Sequence, residues 1–344
     1  MIELIVKNKN FENIVLIDAY TSLIWTTAYN DIGDFELCVS VSKHNLEILK
    51  VGYYLSRLDD YSIGIIENLQ ITKLEEDEYL LVTGRLLESI ISRRIIEKQT
   101  KVNGTVSSCI TKLLNENLIS PADIKRKISN FRIVGETFND KLVAQYTGKN
   151  LLEVIVEICK NYNLGFRVSL NNGFFEFELY RGIDRSYNQN YNAWVVFSNQ
   201  YDNLMSSEYM CVSSQLVTDV LVAGEGEGLN RRTLWVSNNI NSGLNRYEEY
   251  KDARNISSED GVISDEEYNQ QLKEDGQEFL TKITTSFNGE IYFNSIEYKK
   301  DLFLGDFVTI QNTEWGMQMN AQLSKITESI SETKKYTVEP TFIF

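Results

Sequence analysis

Along residues 1–90 the apolar side chains come in short β-branched and aromatic runs, at 14–17, 35–41, 63–74 and 79–83, cut by Asp, Asn and Gly. Runs of that length and composition predict strands. In the second, Phe35, Leu37, Val39 and Val41 alternate with Glu36, Cys38 and Ser40, a period of two that buries one face and wets the other. The texture is that of a small barrel or sandwich.

Between residues 86 and 180 the pattern becomes mixed, with apolar spacing suited to helices at 106–118 and 151–162. Asn150, after Gly148 and Lys149, is placed to cap the second helix, which runs out near Asn163 and Gly165. Strands at 166–170 and 174–180 are joined by Asn171, Asn172 and Gly173. These residues supply the positive φ angles of a tight hairpin turn. An α/β unit inserted into a β-rich chain is the economical reading.

Strand signals return at 194–197, 209–212 and 216–222, the last mostly apolar but broken by Thr218 and Asp219. An acidic, polar stretch at 248–260 precedes a helix expected over 264–282, where Ser264 and Glu267 form a capping box. Residues 285–344 again read as several short strands. With two prolines, Pro121 and Pro340, and no low-complexity tract, no disordered linker is expected.

A chain of 344 residues exceeds what one core usually serves. Periodicity divides it into a β-rich start at 1–90, an inserted α/β unit at 91–190, and a β-rich end with a helix-containing connection at 226–344. The fold class is thus β-rich α+β. Charge adds one restriction. The 49 acidic against 34 basic residues give −15, which repels phosphate backbones and anionic lipid and argues against tight nucleic-acid binding or a membrane anchor. It first of all suits solubility, and is compatible with a wall past which DNA slides. No run approaches the roughly 18 apolar residues of a membrane span. Lys7 and Lys9 follow the short amino-terminal apolar run rather than precede it, unlike a secretion signal. Cys38, Cys109, Cys159 and Cys211 show no metal or redox spacing and read as thiols of a reducing cytoplasm.

Candidate chemistry is sparse. His44 is the one histidine, and no GxSxG, HExxH or P-loop motif is present. A Ser or Cys triad would have to use His44, which sits in a polar stretch and reads as a surface residue. Gly224-Glu225-Gly226-Glu227-Gly228 has the glycines of a phosphate loop, but its carboxylates repel phosphate, so a turn is expected. The pairs Asp59 with Asp60 and Glu75 with Glu76 have the residue type of glycosidase acids but arise by chance in so acidic a chain. Tyr53 with Tyr54, and Tyr187 with Tyr191, suit strands and protein contacts as well as a carbohydrate site. No catalytic, metal or cofactor-binding residues are assigned.

An ordered set of short phrases carries a resemblance over most of the chain. It runs through Tyr20-Thr21-Ser22-Leu23-Ile24-Trp25, Gly33-Asp34-Phe35-Glu36-Leu37, Gly64-Ile65-Ile66-Glu67 and Thr83-Gly84-Arg85-Leu86-Leu87, with Arg93 and Arg94 beyond. It continues through Gly165-Phe166-Arg167-Val168, Tyr180-Arg181-Gly182-Ile183-Asp184-Arg185-Ser186, Val196-Phe197-Ser198 and Asn203-Leu204. Arg246-Tyr247-Glu248, Asp252-Ala253-Arg254 and Asp301-Leu302-Phe303-Leu304-Gly305-Asp306 complete it. In this order the phrases resemble the tail hub and baseplate hub proteins of Gram-positive phages and prophage tails, including contractile phage-like particles. Residues 98–143 match none of its phrases.

The resemblance implies a homotrimer with two barrels per chain, related to tail-tube barrels: a first β-barrel domain at 1–90, completed by about 194–225, and, after the inserted α/β domain at 91–190, a helix-containing connection and second β-barrel domain at 226–344. Six barrels in a ring would join the sixfold tail tube to a threefold spike or tip protein. It implies partners in the tail tube protein ring, the spike, and the tape measure and baseplate wedge proteins, within a virion or phage-like particle assembled in the bacterial cytoplasm. The length leans towards a contractile tail. Longer hubs carry a wall hydrolase, and with strand-like sequence up to Phe344 no lysin activity is expected. Trp25, Phe35 and Trp194 are expected as core anchors, Gly33, Gly84 and Gly305 as turn positions, and Asp184 and Arg185 as ion-pair partners between domains or subunits. The alternative is a carbohydrate- or receptor-binding tail protein, which would bind cell-wall polymer as an isolated protein. A peptidoglycan hydrolase, which one carboxylate substitution would silence, is the third reading.

Overall fold

The computed structural model describes residues 2–74, 77–238, 242–258, 262–281, 284–288 and 296–343. Its amino-terminal part is two sheets over one core. One sheet runs in the order Asn13–Ile17, Leu4–Lys7, Tyr54–Arg57, Ile63–Ile65; the other holds Ser22–Ala28, Asp34–Ser40, Asp77–Arg85 and Asn68–Leu74. Leu4, Val6 and Leu55 from the first meet Leu23, Trp25, Leu37 and Leu80 from the second. Phe35, Leu37 and Val39 are buried as their alternation predicted, and Phe35 stacks on Trp25 at 5.4 Å. The single run expected at 63–74 is two strands, because the chain passes from one sheet to the other at Ile66 and Glu67.

The α/β unit follows its local signals closely. Asn150 accepts hydrogen bonds from the Leu152 and Glu153 amides and starts the helix Leu151–Asn161. Asn171 pairs directly with Phe174, and Asn172 and Gly173 turn the hairpin at φ 50° and 78°. The other expected helix is α-helical over Val106–Leu114 and then widens into a π-type turn at Asn115–Ile119. There the buried Asn117 amide donates to the Leu113 carbonyl at 3.0 Å. Both helices bury Val, Ile and Leu in a core shared with Phe166 and Phe177 of the hairpin.

The strand Met317–Ile330 joins the two ends of the chain. Phe307–Asn312 pairs with its first half and Ser22–Ala28 with its last residues, while Tyr336–Ile343 lies along its other side. The result is a ten-stranded sheet ending at Asn68–Leu74 on one edge and Glu208–Val212 on the other. Val196–Ser198 pairs in parallel with Phe307–Asn312, and Phe197 packs with Leu323 and Phe342. Among the described residues the sheets remain open, so the closed barrels expected from the sequence are not seen. The β-rich class itself stands.

A small unit completes the chain. The strands Thr233–Ser237, Asp219–Ala223 and Glu248–Asp252 form a sheet whose one face is covered by the helix Asp265–Gln277. Ser264 accepts from the Glu267 amide and caps that helix as expected. The helix stops five residues short of the expected 282, and Lys282 lies outside the described residues, as do Asp260 and the pair Glu75 and Glu76.

Candidate functional site

The two ends of the chain are also joined by buried charge. Arg57, 0% exposed, donates to both carboxylate oxygens of Glu328, 2% exposed, at 2.6 and 3.0 Å. It makes a second bidentate pair with Asp59 at 2.9 and 2.6 Å. Lys299 bridges Glu328 and Asp60 at 3.2 and 2.6 Å, and the Tyr336 hydroxyl donates to Glu328 at 2.7 Å. Trp25 lies under the Arg57 guanidinium and donates to Ser62, whose amide in turn donates to Asp60. Burial alone would raise the Glu328 carboxyl; the hydrogen bonds and charge of Arg57, aided by Lys299 and Tyr336, outweigh it and hold the group below the usual range. Asp59 is held down in the same way.

Beside this network lies a groove of about 530 Å³, lined by Asp59, Asp60, Tyr61, Arg167, Tyr180 and Tyr298 among others. The Arg167 guanidinium sits between the Tyr61 and Tyr180 rings at 5.0 and 5.2 Å and pairs with Glu178 at 2.6 Å. Behind the groove, Tyr29 is completely buried. Its hydroxyl donates to the Asn163 carbonyl and accepts from the Gly182 amide. A methyl group on Gly165 or Gly305 would overlap the Tyr29 ring, and one on Gly182 would overlap the Gly305 backbone. Asp306 accepts from the Ile183 and Phe303 amides and pairs with Arg185 at 2.8 Å. The phrases around Gly165, Gly182 and Gly305, far apart in the chain, therefore meet at one point. Their residues build a joint between the first sandwich, the α/β unit and the carboxy-terminal strands.

Other expectations fall differently. Trp25 and Phe35 are core anchors, whereas Trp194 is 50% exposed, packs against the tilted Tyr187 ring at 4.8 Å and donates to the Gln189 carbonyl. The Gln189 carbonyl, itself on a buried residue, satisfies the indole N–H while half of the ring stays in solvent. Gly84 is not in a turn but inside the strand Asp77–Arg85, where any side chain would strike the Ile65 carbonyl. Gly305 has the positive φ, 89°, of a turn, and Gly33 lies between Ser22–Ala28 and Asp34–Ser40. Of the pair Asp184 and Arg185, the arginine makes the ion pair between segments; Asp184 accepts from the Ser186 amide.

The candidate catalytic groups are not brought together. His44 is exposed on the short helix Lys43–Ile48. Asp59 and Asp60 are committed to Arg57 and Lys299. Glu225 pairs with Arg232 and accepts from the Ser258 amide, making the glycine-rich segment a turn. Tyr53 is half-buried and Tyr191 is 94% exposed. Cys109 and Cys159 are buried, Cys38 is half-buried, Cys211 is exposed, and all four are free thiols. Among the described residues no group of three or more His, Cys, Asp or Glu could hold a metal, and no helix is long and apolar enough to cross a membrane.

Two features escaped the sequence reading. Glu88 is fully buried; burial pushes its carboxyl up to about 7 although the Val168 amide donates to it, and its second oxygen is without a partner. The edge strand Glu208–Val212 leaves four of its five residues exposed, Tyr209 at 38% and Met210 at 48%. The unpaired backbone N–H and C=O groups of an open sheet edge are the usual means of adding a strand from another chain, and exposed apolar side chains beside them add contact.

The family model described as "Siphovirus ReqiPepy6 Gp37-like protein" matches residues 3–342. No curated protein matches the chain. Among solved structures, the tail protein from Neisseria meningitidis MC58 is 13% identical with a TM-score of 0.61, covering 100% of this chain and 96% of its own. The 43 kDa tail protein of prophage MuSo2 from Shewanella oneidensis is 13% identical with a TM-score of 0.59, covering 99% and 98%. The prophage tail protein gp18 from Listeria monocytogenes EGD-e is 12% identical with a TM-score of 0.57, covering 99% and 94%. At these identities the likeness is one of fold.

Proposed function

The chain belongs to the Siphovirus ReqiPepy6 Gp37-like protein family, and from that premise we propose that it is a structural hub of a phage or phage-like tail. In this reading it is a homotrimeric symmetry adaptor between the sixfold tail tube and a threefold spike or tip protein. It performs no reaction and uses no cofactor. Its place is the tail baseplate or tip of the particle, beside the tape measure and baseplate wedge proteins.

The observation that carries the reading is the end-to-end correspondence of fold with three tail proteins, over 94% or more of each chain. The internal architecture supports it. Two β-rich halves flank an α/β unit and are joined by the strand Met317–Ile330, the Arg57–Glu328 pair and the Tyr29 joint. The proposal takes those halves as the two barrel-type units of each subunit, with residues 91–190 as the inserted domain. Three copies would then present six similar units, as a tube ring requires. The exposed edge Glu208–Val212 supplies strand-pairing groups for a neighbouring chain.

Light scattering of the purified chain over a range of concentrations tests this. The expected mass is near three times 39.7 kDa, with six lobes in averaged electron micrographs. A monomer or dimer at every concentration, unchanged when tube protein is added, refutes the adaptor.

A further inference from the structure

The uncovered face of the small sheet is the surface that the hub reading leaves unused, and we propose that it binds a neutral, β-1,4-linked glycan chain. The register places Leu221 opposite both Trp235 and Tyr250, so the three side chains form one row across the sheet. The helix Asp265–Gln277 packs on the other face, against Val220, Val222 and Val236. Trp235 and Tyr250 are 46% and 51% exposed. A buried-core role does not account for two such rings side by side.

Both ends of the row are framed by arginines held flat and already neutralised. Arg246 stacks on Trp235 at 4.7 Å and pairs with Asp219 at 2.8 Å and with Glu248. Arg231 donates to the Tyr250 hydroxyl at 2.8 Å and to Asp252 at 2.6 Å. The carboxylates of Asp219, Glu248 and Asp252 are matched by the guanidiniums of Arg246, Arg231 and Arg254, the last pairing with Asp252 at 2.6 Å, so the face offers fixed donors and acceptors but no net positive charge. That disfavours phosphate or an acidic peptide and suits a polyol, whose hydroxyls both donate and accept. Each ring has one face taken by an arginine, Arg246 over Trp235 at 4.7 Å and Arg231 over Tyr250 at 5.9 Å, and the remaining, solvent-exposed aromatic surface suits the C–H faces of sugar rings. Trp235 and Tyr250 stand two strand spacings apart, about 9.5 Å. In an extended β-1,4-linked chain alternate rings turn the same face the same way, at a comparable separation, so one ring stacks on each aromatic.

The test is calorimetric titration of the full chain with the hexamer of β-1,4-linked N-acetylglucosamine, with inorganic polyphosphate as the anionic comparison. The hexamer is expected to bind, and Trp235→Ala and Tyr250→Ala each to weaken it about tenfold or more. Trp235→Phe keeps a ring and should retain most of the affinity, and Trp194→Ala, at a separate exposed indole, should change nothing. Thermal melts of the variants establish that they remain folded. Absence of hexamer binding, binding unchanged by Trp235→Ala, or preference for polyphosphate overturns the proposal. So does a fall in light-scattering mass with Trp235→Ala, which would make this face a contact between copies. The trimer measurement is separate, so a failure here leaves the hub reading standing.

Discussion

Replacing Glu328 by Gln keeps the shape of the side chain and an oxygen for Arg57 but removes the charge. Arg57 is completely buried, and its remaining partner Asp59 is half exposed. Lys299 keeps Asp60 alone. Breaking one side of a buried pair costs about 3–5 kcal/mol, mostly the penalty of the charge left behind. Glu328→Gln is therefore expected to lower stability by that amount at pH 7. Urea unfolding followed by tryptophan fluorescence is the assay, because Trp25 is buried under Arg57 whereas Trp194, Trp235 and Trp315 are each about half exposed already. The pH dependence has a definite sign. Glu328 and Asp59 are held below their unfolded values, so their contribution is present above about pH 4.5 and is lost as the pH falls through their folded values. The variant should show a shallower acid loss than the parent. The double variant Arg57→Met with Glu328→Leu removes both charges and should be more stable than Glu328→Gln, since apolar replacements of a buried pair are often neutral. A Glu328→Gln loss within about 0.5 kcal/mol, or a double variant no better than the single, would refute the claim that this pair locks the two halves together.

Glu88 should act with the opposite sign: its folded carboxyl lies above its unfolded value, so stability is lost as pH rises from about 4.5 through about 7. Glu88→Gln should flatten that slope and add up to about 3 kcal/mol at pH 8, read from urea midpoints at pH 5 and pH 8; an unchanged slope would show that the group ionises freely in the fold. Gly182→Ala drives a methyl into the Gly305 backbone, itself backed by the Tyr29 ring, and should cost about 3 kcal/mol or more in thermal melts, with faster proteolysis between the units. Gly148→Ala, with positive φ but open space around it, should cost only about 1 kcal/mol, and equal losses at the two positions would remove the steric argument for the joint.

The sequence by itself determined what depends on neighbours within a few residues. Asn150 and Ser264 cap helices where their side chains can reach amides two or three positions on; Asn172 and Gly173 turn a hairpin because that turn needs positive φ. The alternation from Phe35 to Val39 reports its own buried face. These signals, and the ordered phrases that carry the family resemblance, survive without knowledge of the rest of the chain. Tertiary structure alone decided the remainder. Glu328 sits in a strand like any exposed carboxylate until Arg57, 271 positions away, removes it from water. Gly165, Gly182 and Gly305 stand in separate phrases of the sequence until Tyr29 gathers them. Trp194 looks like a core residue and is not, because aromatic character does not say where its N–H finds an acceptor. That the sheets stay open, and the path of Met317–Ile330 between two halves, rest on pairings hundreds of residues apart, whose partners no local pattern names.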